Sequence, residues 1–162
     1  LIKYEICDCD VADFTEFNQA AINVCNEQGI EKVDFLIAHP PYLDVVKFTQ
    51  DKRDLSQISD IDTFMSKFVD AMRNGLSFLA KDKYFALVAG DIYKRSEVVP
   101  LAFYMMDAVK KNFNVKMKGV IIKNIEGNKG KLGSQDIWKY RALKSDYFLF
   151  KHEYIFVFKK MD

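Results

Sequence analysis

Apolar and polar positions along the chain change period several times, and each change marks an element. Phe14, Phe17, Ala21, Val24 and Cys25 recur at helical spacing and predict a helix over Phe14–Gln28, with Gly29 as its stop. Ile61, Phe64, Met65, Phe68, Val69, Met72, Leu76 and Leu79 form a longer stripe and predict a helix over Ile61–Leu79, capped by Ser59 or Asp60. Leu101, Tyr104, Met105, Ala108 and Val109 predict a third helix over Glu97–Lys111, with Pro100 tolerated in its first turn. Between these lie shorter apolar segments. Leu1–Cys7 alternates at Ile2, Tyr4 and Ile6, Val33–Ala38 is a near-continuous run that reads as a buried strand, and Tyr84–Ala89 is another. Val115–Lys123 and Tyr154–Lys159 complete the set of strands.

A helix between two strands implies a crossover and a parallel pair. No helix-length periodic segment separates the last two strands, so they are expected as an antiparallel pair on the sheet edge. The pattern therefore predicts an α/β fold in one domain, with parallel strands and an antiparallel edge hairpin. There are no internal repeats.

The strand ending at Ala38 stops abruptly at His39, Pro40, Pro41 and Tyr42. Neither proline has an N–H to give a ladder, so the chain must leave the sheet in a stiff turn. Such a turn holds an imidazole, two carbonyls and a phenol at the carboxyl end of a strand, where open α/β sheets bind ligands. Gly90-Asp91 ends the next strand and should fall near Tyr42 if the two strands pair. Asp8, Asp10 and Asp13 follow the first segment. Asp13 suits a helix cap, whereas Asp8 and Asp10 divide evenly between capping and binding. Leu43–Ser59 is polar and without period, and reads either as a lid or as a short surface helix.

Composition narrows the class. With 162 residues, 49% of them hydrophobic and 14% aromatic, the chain is long enough to bury about 70% of its unfolded surface. A net charge of +1 leaves nucleic-acid contact to local patches. One such patch interleaves Lys123, Lys129, Lys131, Lys139 and Arg141 with Trp138 and Tyr140, in a stretch punctuated by Gly127, Gly130 and Gly133. Cations and rings so arranged suit phosphate contact and base stacking, although a Lys/Gly loop is also an ordinary solvated surface. Three cysteines form neither a disulfide framework nor a metal site, since no second Cys/His pair completes a zinc set. Reduced thiols in a cytoplasmic protein are the expectation. No apolar run reaches the roughly 20 residues of a membrane span, and no signal peptide is present.

His39-Pro40-Pro41-Tyr42 resembles motif IV of the S-adenosylmethionine-dependent DNA amino-methyltransferases, where Asp, Asn or Ser precedes Pro-Pro and an aromatic. Ile137–Lys160 resembles the closing region of a subgroup that also carries His-Pro-Pro-Tyr. The likeness covers most of the chain from Val33 onward. It implies a partial Rossmann-like class I methyltransferase fold, in which residues 1–162 form a single catalytic domain. It also implies S-adenosylmethionine as cofactor and an exocyclic amino group of adenine or cytosine in DNA as target, in a restriction-modification setting. DNA is then the partner, with a second copy of the chain and a cognate restriction enzyme as further candidates. By residue, the resemblance makes His39, Pro40, Pro41 and Tyr42 catalytic, and assigns Asp8, Asp10 and His39 to the cofactor. Lys123, Lys129, Lys131, Trp138, Lys139, Tyr140 and Arg141 are assigned to the nucleic acid.

Two departures qualify this. The family's Phe-x-Gly-x-Gly cofactor loop is missing, and no G-x-G occurs anywhere. The chain is therefore expected to be a carboxyl-terminal piece that lacks its cofactor-binding segment and binds cofactor weakly or not at all alone. His39 stands where the family has Asp, Asn or Ser. A neutral imidazole offers one acceptor nitrogen and a protonated one none, so His39 could accept from an amino group or act as a general base near an imidazole pKa of about 6.5. Alternatively the site is degenerate, or His39 is satisfied by a backbone carbonyl. Competing functions are methylation of RNA or of a protein amide, and an inactive nucleic-acid-binding module.

Overall fold

The computed structural model describes residues 4–125 and 150–162. Helix α1 spans Phe14–Gln28, β1 Val33–Ala38, α2 Ile61–Phe78, β2 Leu79–Ala89, β3 Ile92–Lys94, β4 Glu97–Val99, α3 Leu101–Asn112, β5 Val115–Asn124 and β6 His152–Lys160. Caps set the helix starts. Asp13 accepts from the Glu16 N–H and Asp60 from the Thr63 N–H, each satisfying a donor that the first turn cannot. Gly29, at φ 68°, closes α1 in the left-handed conformation that glycine adopts without strain.

The main sheet has the order β1-β2-β6-β5. β1 and β2 are parallel across α2, while β6 runs antiparallel to both β2 and β5. The architecture is thus mixed α/β with the expected antiparallel pair at one edge. Leu36 and Ala38 pair with Phe85 and Leu87, which pair in turn with Phe158 and Phe156. These side chains share one face, and α2 and α3 pack on it through Phe64, Phe68, Met72, Leu76, Leu101, Met105 and Val109. Phe85 and Phe158 stack at 5.0 Å between ring centroids. Full burial of such a ring stabilises by roughly 1.5–3 kcal/mol.

Several expectations need correction. Residues 4–7 form no strand, because Tyr4 and Ile6 have nothing to pair with and stand open to solvent. Among the described residues β1 is consequently an edge, and the anticipated parallel partner from the amino terminus is not seen. β1 is also buried on one face only. Its other face carries Phe35 (51% exposed) and Ile37 (65%), beside Tyr84 of β2 (44%).

The helix expected over Glu97–Lys111 begins only at Leu101. Glu97–Val99 instead pairs with Ile92–Lys94 in a hairpin. Arg95 and Ser96, at φ 53° and 61°, make the tight turn whose twist suits two antiparallel strands. Pro100 ends the hairpin and starts the helix.

Among the described residues, no helix is long and apolar enough to cross a membrane. A prediction separates the two faces of the sheet. Phe158→Ala should lower stability by about 3–5 kcal/mol, whereas Ile37→Ala should change it by no more than about 0.5 kcal/mol, both read from the urea midpoint at unchanged slope.

Candidate active site

The carboxyl ends of β1 and β2, the carboxyl end of β5 and the amino end of β6 all fall on one side of the sheet. His39 leaves β1 there, and the prolines carry the chain outward with no cis bond. Leu43 then re-enters the core, fully buried at φ 52°. A non-glycine residue in that conformation costs on the order of 1–2 kcal/mol. It is tolerated because the side chain has no other apolar place to go. The turn is therefore fastened at both ends, by the β1–β2 ladder and by Leu43.

Gly90 lets the end of β2 approach this turn. A Cβ there would lie 2.9 Å from Cε2 of Tyr42, so any side chain would displace the ring. Tyr42 is half-buried, and its hydroxyl donates to Oε1 of Glu153 at 3.0 Å. Nε2 of His39 lies 3.1 Å from the same hydroxyl and 4.0 Å from that carboxylate oxygen. Lys123, directly opposite Glu153 in the β5–β6 ladder, donates to Oε2 at 3.0 Å. Four side chains, from the turn after β1 and from β5 and β6, thus share one network, with His39 at its exposed end.

Electrostatics follow from this placement. Burial, and then the neighbouring Glu153 carboxylate, push the Tyr42 phenol well above its ordinary value. Burial opposes ionisation of Glu153, but Lys123, the Tyr42 hydroxyl and His39 outweigh it and hold the carboxyl below its ordinary range. Glu153 is therefore an ionised acceptor at neutral pH.

A second group lies alongside. Burial raises the Asp91 carboxyl, against the opposing effects of the Ala102 N–H and His152. Asp91 accepts that N–H at 3.2 Å, and so caps α3 in place of Pro100, which makes no side-chain cap bond. Nε2 of His152 lies 3.0 Å from the Tyr154 hydroxyl. Asp91 and His152 therefore border the strand tips, with Asp91 committed to structure.

Of the residues singled out from sequence, His39, Pro40, Pro41 and Tyr42 come together, and Lys123 joins them through Glu153. Asp8 and Asp10 do not. Asp10 accepts from the Ala12 N–H in a local turn, and its own N–H donates to Glu16. Among the described residues, no hydrogen bond links either acid to His39 or Tyr42. Lys129, Lys131, Trp138, Lys139, Tyr140 and Arg141 lie outside the described residues. Glu153 was not legible in sequence. Its sole signal is an acid at the start of an aromatic strand, and nothing local points to Tyr42, 111 positions away.

The segment after the turn is neither lid nor helix. Asp54 accepts from the N–H and hydroxyl of both Thr49 and Ser56, and Leu55–Gln57 make a single 3-10 turn with Leu55 buried. Arg53 ties the loop to Glu16 of α1 at 2.7 Å.

No group of three or more His, Cys, Asp or Glu side chains among the described residues is placed to hold a metal ion. An open groove of about 620 Å³ between α2 and α3 contains none of the site residues. The described residues thus build a surface that can receive a planar amino-bearing ring. They do not build a site for an adenosine cofactor, since the two acids assigned to it stand apart and no glycine loop is present.

No protein-family model and no curated protein matches the sequence. Solved structures do match in fold. A Thermus thermophilus protein assigned as a DNA modification methylase, complexed with S-adenosyl-L-methionine, superimposes over 82% of this chain and 49% of its own, with a TM-score of 0.53 and 16% identity. The cytosine-N4-specific PvuII DNA methyltransferase does so over 81% and 43%, with a TM-score of 0.58 and 12% identity. The chain spans about half the length of the solved structures it matches. At these identities the likeness establishes the fold, which is the one these DNA methyltransferases share.

Two outcomes check the network. Folding favours the protonated Tyr42 phenol, so that stabilisation is complete below the ordinary value of 10.0 and is lost as pH rises above it. Between about pH 10 and pH 12 the stability of Tyr42→Phe should therefore decline less steeply than that of the wild type, as measured by urea unfolding. Gly90→Ala should expel the Tyr42 ring and abolish that difference.

Proposed function

We propose that this chain is the target-base portion of an S-adenosylmethionine-dependent DNA amino-methyltransferase. The observation that carries the reading is the fastened His39-Pro40-Pro41-Tyr42 turn at a strand tip, with its imidazole exposed and its phenol held from behind by Glu153.

An exocyclic amino group on adenine or cytosine is a poor nucleophile because its lone pair is delocalised into the ring. Two acceptors that engage its two N–H groups favour a pyramidal nitrogen and return the lone pair. His39 and the Pro40 carbonyl are those acceptors. Tyr42 stacks on the base, which leaves the duplex to reach it, and such stacking contributes roughly 1–3 kcal/mol. S-adenosylmethionine supplies the methyl group. Once the nitrogen has formed its bond to carbon it carries a surplus proton, and the neutral His39 imidazole takes it. Lys123 and the basic-aromatic residues Lys129, Lys131, Trp138, Lys139, Tyr140 and Arg141 contact the strand.

The missing glycine loop, and the match to about half of each related structure, support a division of labour. In this reading a further stretch of polypeptide completes the cofactor site, to which Asp8 and Asp10 contribute from this chain. The open sheet face around Phe35, Ile37 and Tyr84 is apolar enough to receive such a layer. The same missing loop favours one second reading, an inactive nucleic-acid-binding module.

The two readings separate by experiment. A protein that includes this chain together with a glycine-loop segment should methylate duplex DNA, with the rate falling as an imidazole protonates. His39→Ala should cost about 10²–10⁴-fold in rate, the range for a positioned acid–base group. The chain of residues 1–162 alone should show no tight S-adenosylmethionine binding by calorimetry. A pH-independent rate, or full activity in His39→Ala, would overturn the assignment of His39.

A further inference from the structure

We infer that Glu153, acting through Tyr42, is a positioning residue that fixes which nitrogen of His39 is the acceptor. The inference rests on His39 being the amino-group acceptor of the proposed reaction.

The argument is one of counting protons. An ionised carboxylate only accepts, and a phenol has a single proton to give. Tyr42 Oη lies 3.0 Å from Oε1 of Glu153, so its proton points there. The other carboxylate oxygen already takes a proton from Lys123. Towards His39, 3.1 Å away, Tyr42 therefore presents a lone pair. Nε2 of His39 must carry the hydrogen, and in the neutral ring the lone pair is left on Nδ1.

The opposite tautomer needs the Tyr42 proton to turn towards His39. That would leave Oε1 of Glu153, at a site where the side chain is only 13% exposed, facing the phenol's lone pairs at the same 3.0 Å. A buried carboxylate oxygen without a donor is strongly disfavoured.

The consequence is chemical. Nδ1 is bonded to Cγ, as is the side-chain oxygen of Asn or Asp. The network thus puts the imidazole's one acceptor at the same number of bonds from the backbone as the oxygen that usually opens this motif. Nε2, one atom further out, is sealed against Tyr42. A histidine left to choose its own tautomer offers an acceptor at either position. Glu153 removes that choice.

The test reads the ring nitrogens directly. His39 and His152 are the two histidines of the chain, so long-range 1H–15N correlation spectra of the 15N-histidine-labelled chain carry two rings, and His39→Gln identifies one of them. At a pH where the ring is neutral, His39 should show a pyridine-type Nδ1 and a pyrrole-type Nε2. A pyrrole-type Nδ1 in the wild type would overturn the inference. In Glu153→Ala the Tyr42 proton is released towards Nε2, and the His39 signals should shift towards the other tautomer. In Glu153→Gln, whose amide oxygen still accepts, they should return to the wild-type pattern. Unchanged shifts in a folded Glu153→Ala would also overturn it. If that variant does not fold, Tyr42→Phe asks the same question, and its His39 shifts should move to those of a free, solvated imidazole. If the tautomer behaves as described but the completed enzyme transfers no methyl group, the proposed reaction fails and the positioning role stands.

Discussion

The hydrogen bond from Tyr42 to Glu153 joins the tip of one edge of the sheet to the start of β6, across 111 residues of chain. Everything said about the site depends on it. A proline pair makes a stiff turn but does not say where the ring after it should point. The charged acceptor does. A hydrogen bond to an ionised group contributes roughly 1.5–3 kcal/mol, enough to hold one orientation of a half-buried phenol. The Lys123–Glu153 pair, exposed on the lysine side, adds less than about 1 kcal/mol. Its value lies in keeping the carboxylate ionised.

The strand tips are crowded with polar groups that divide between structure and chemistry. Asp91 sits where a strand-end acid in an α/β sheet invites a ligand role, yet it satisfies the first turn of α3 because Pro100 offers no side-chain cap. Asp54 similarly gathers its loop around itself through Thr49 and Ser56. His39 differs from both: it is exposed and is held from one side only. That asymmetry marks it as the group facing a ligand.

The sheet has the same one-sidedness. Its helix-covered face is closed by Phe85, Phe156 and Phe158, while Phe35, Ile37 and Tyr84 leave the other open at the β1 edge. A sheet with apolar residues on both faces ordinarily belongs between two layers. The chain supplies one of them among its described residues.

The hydrophobic pattern alone located α1, α2, β1, the core of β2, and the β5 and β6 strands, because each has a period set by its own backbone geometry. The proline pair marked the turn for an equally local reason, the missing N–H. Where a segment's state was decided by a distant partner, the pattern misled. Residues 4–7 alternate like a strand but have nothing to pair with, and Glu97–Val99 was drawn into a hairpin by the backbone turn at Arg95 and Ser96. Glu153 and Gly90 became site residues only through strand register, which brings β2 and β6 beside the turn. Register is a property of the assembled sheet, since it is set by which faces are buried together. The imidazole and the phenol could thus be named from sequence, whereas the carboxylate that aims them could be found only in the folded chain.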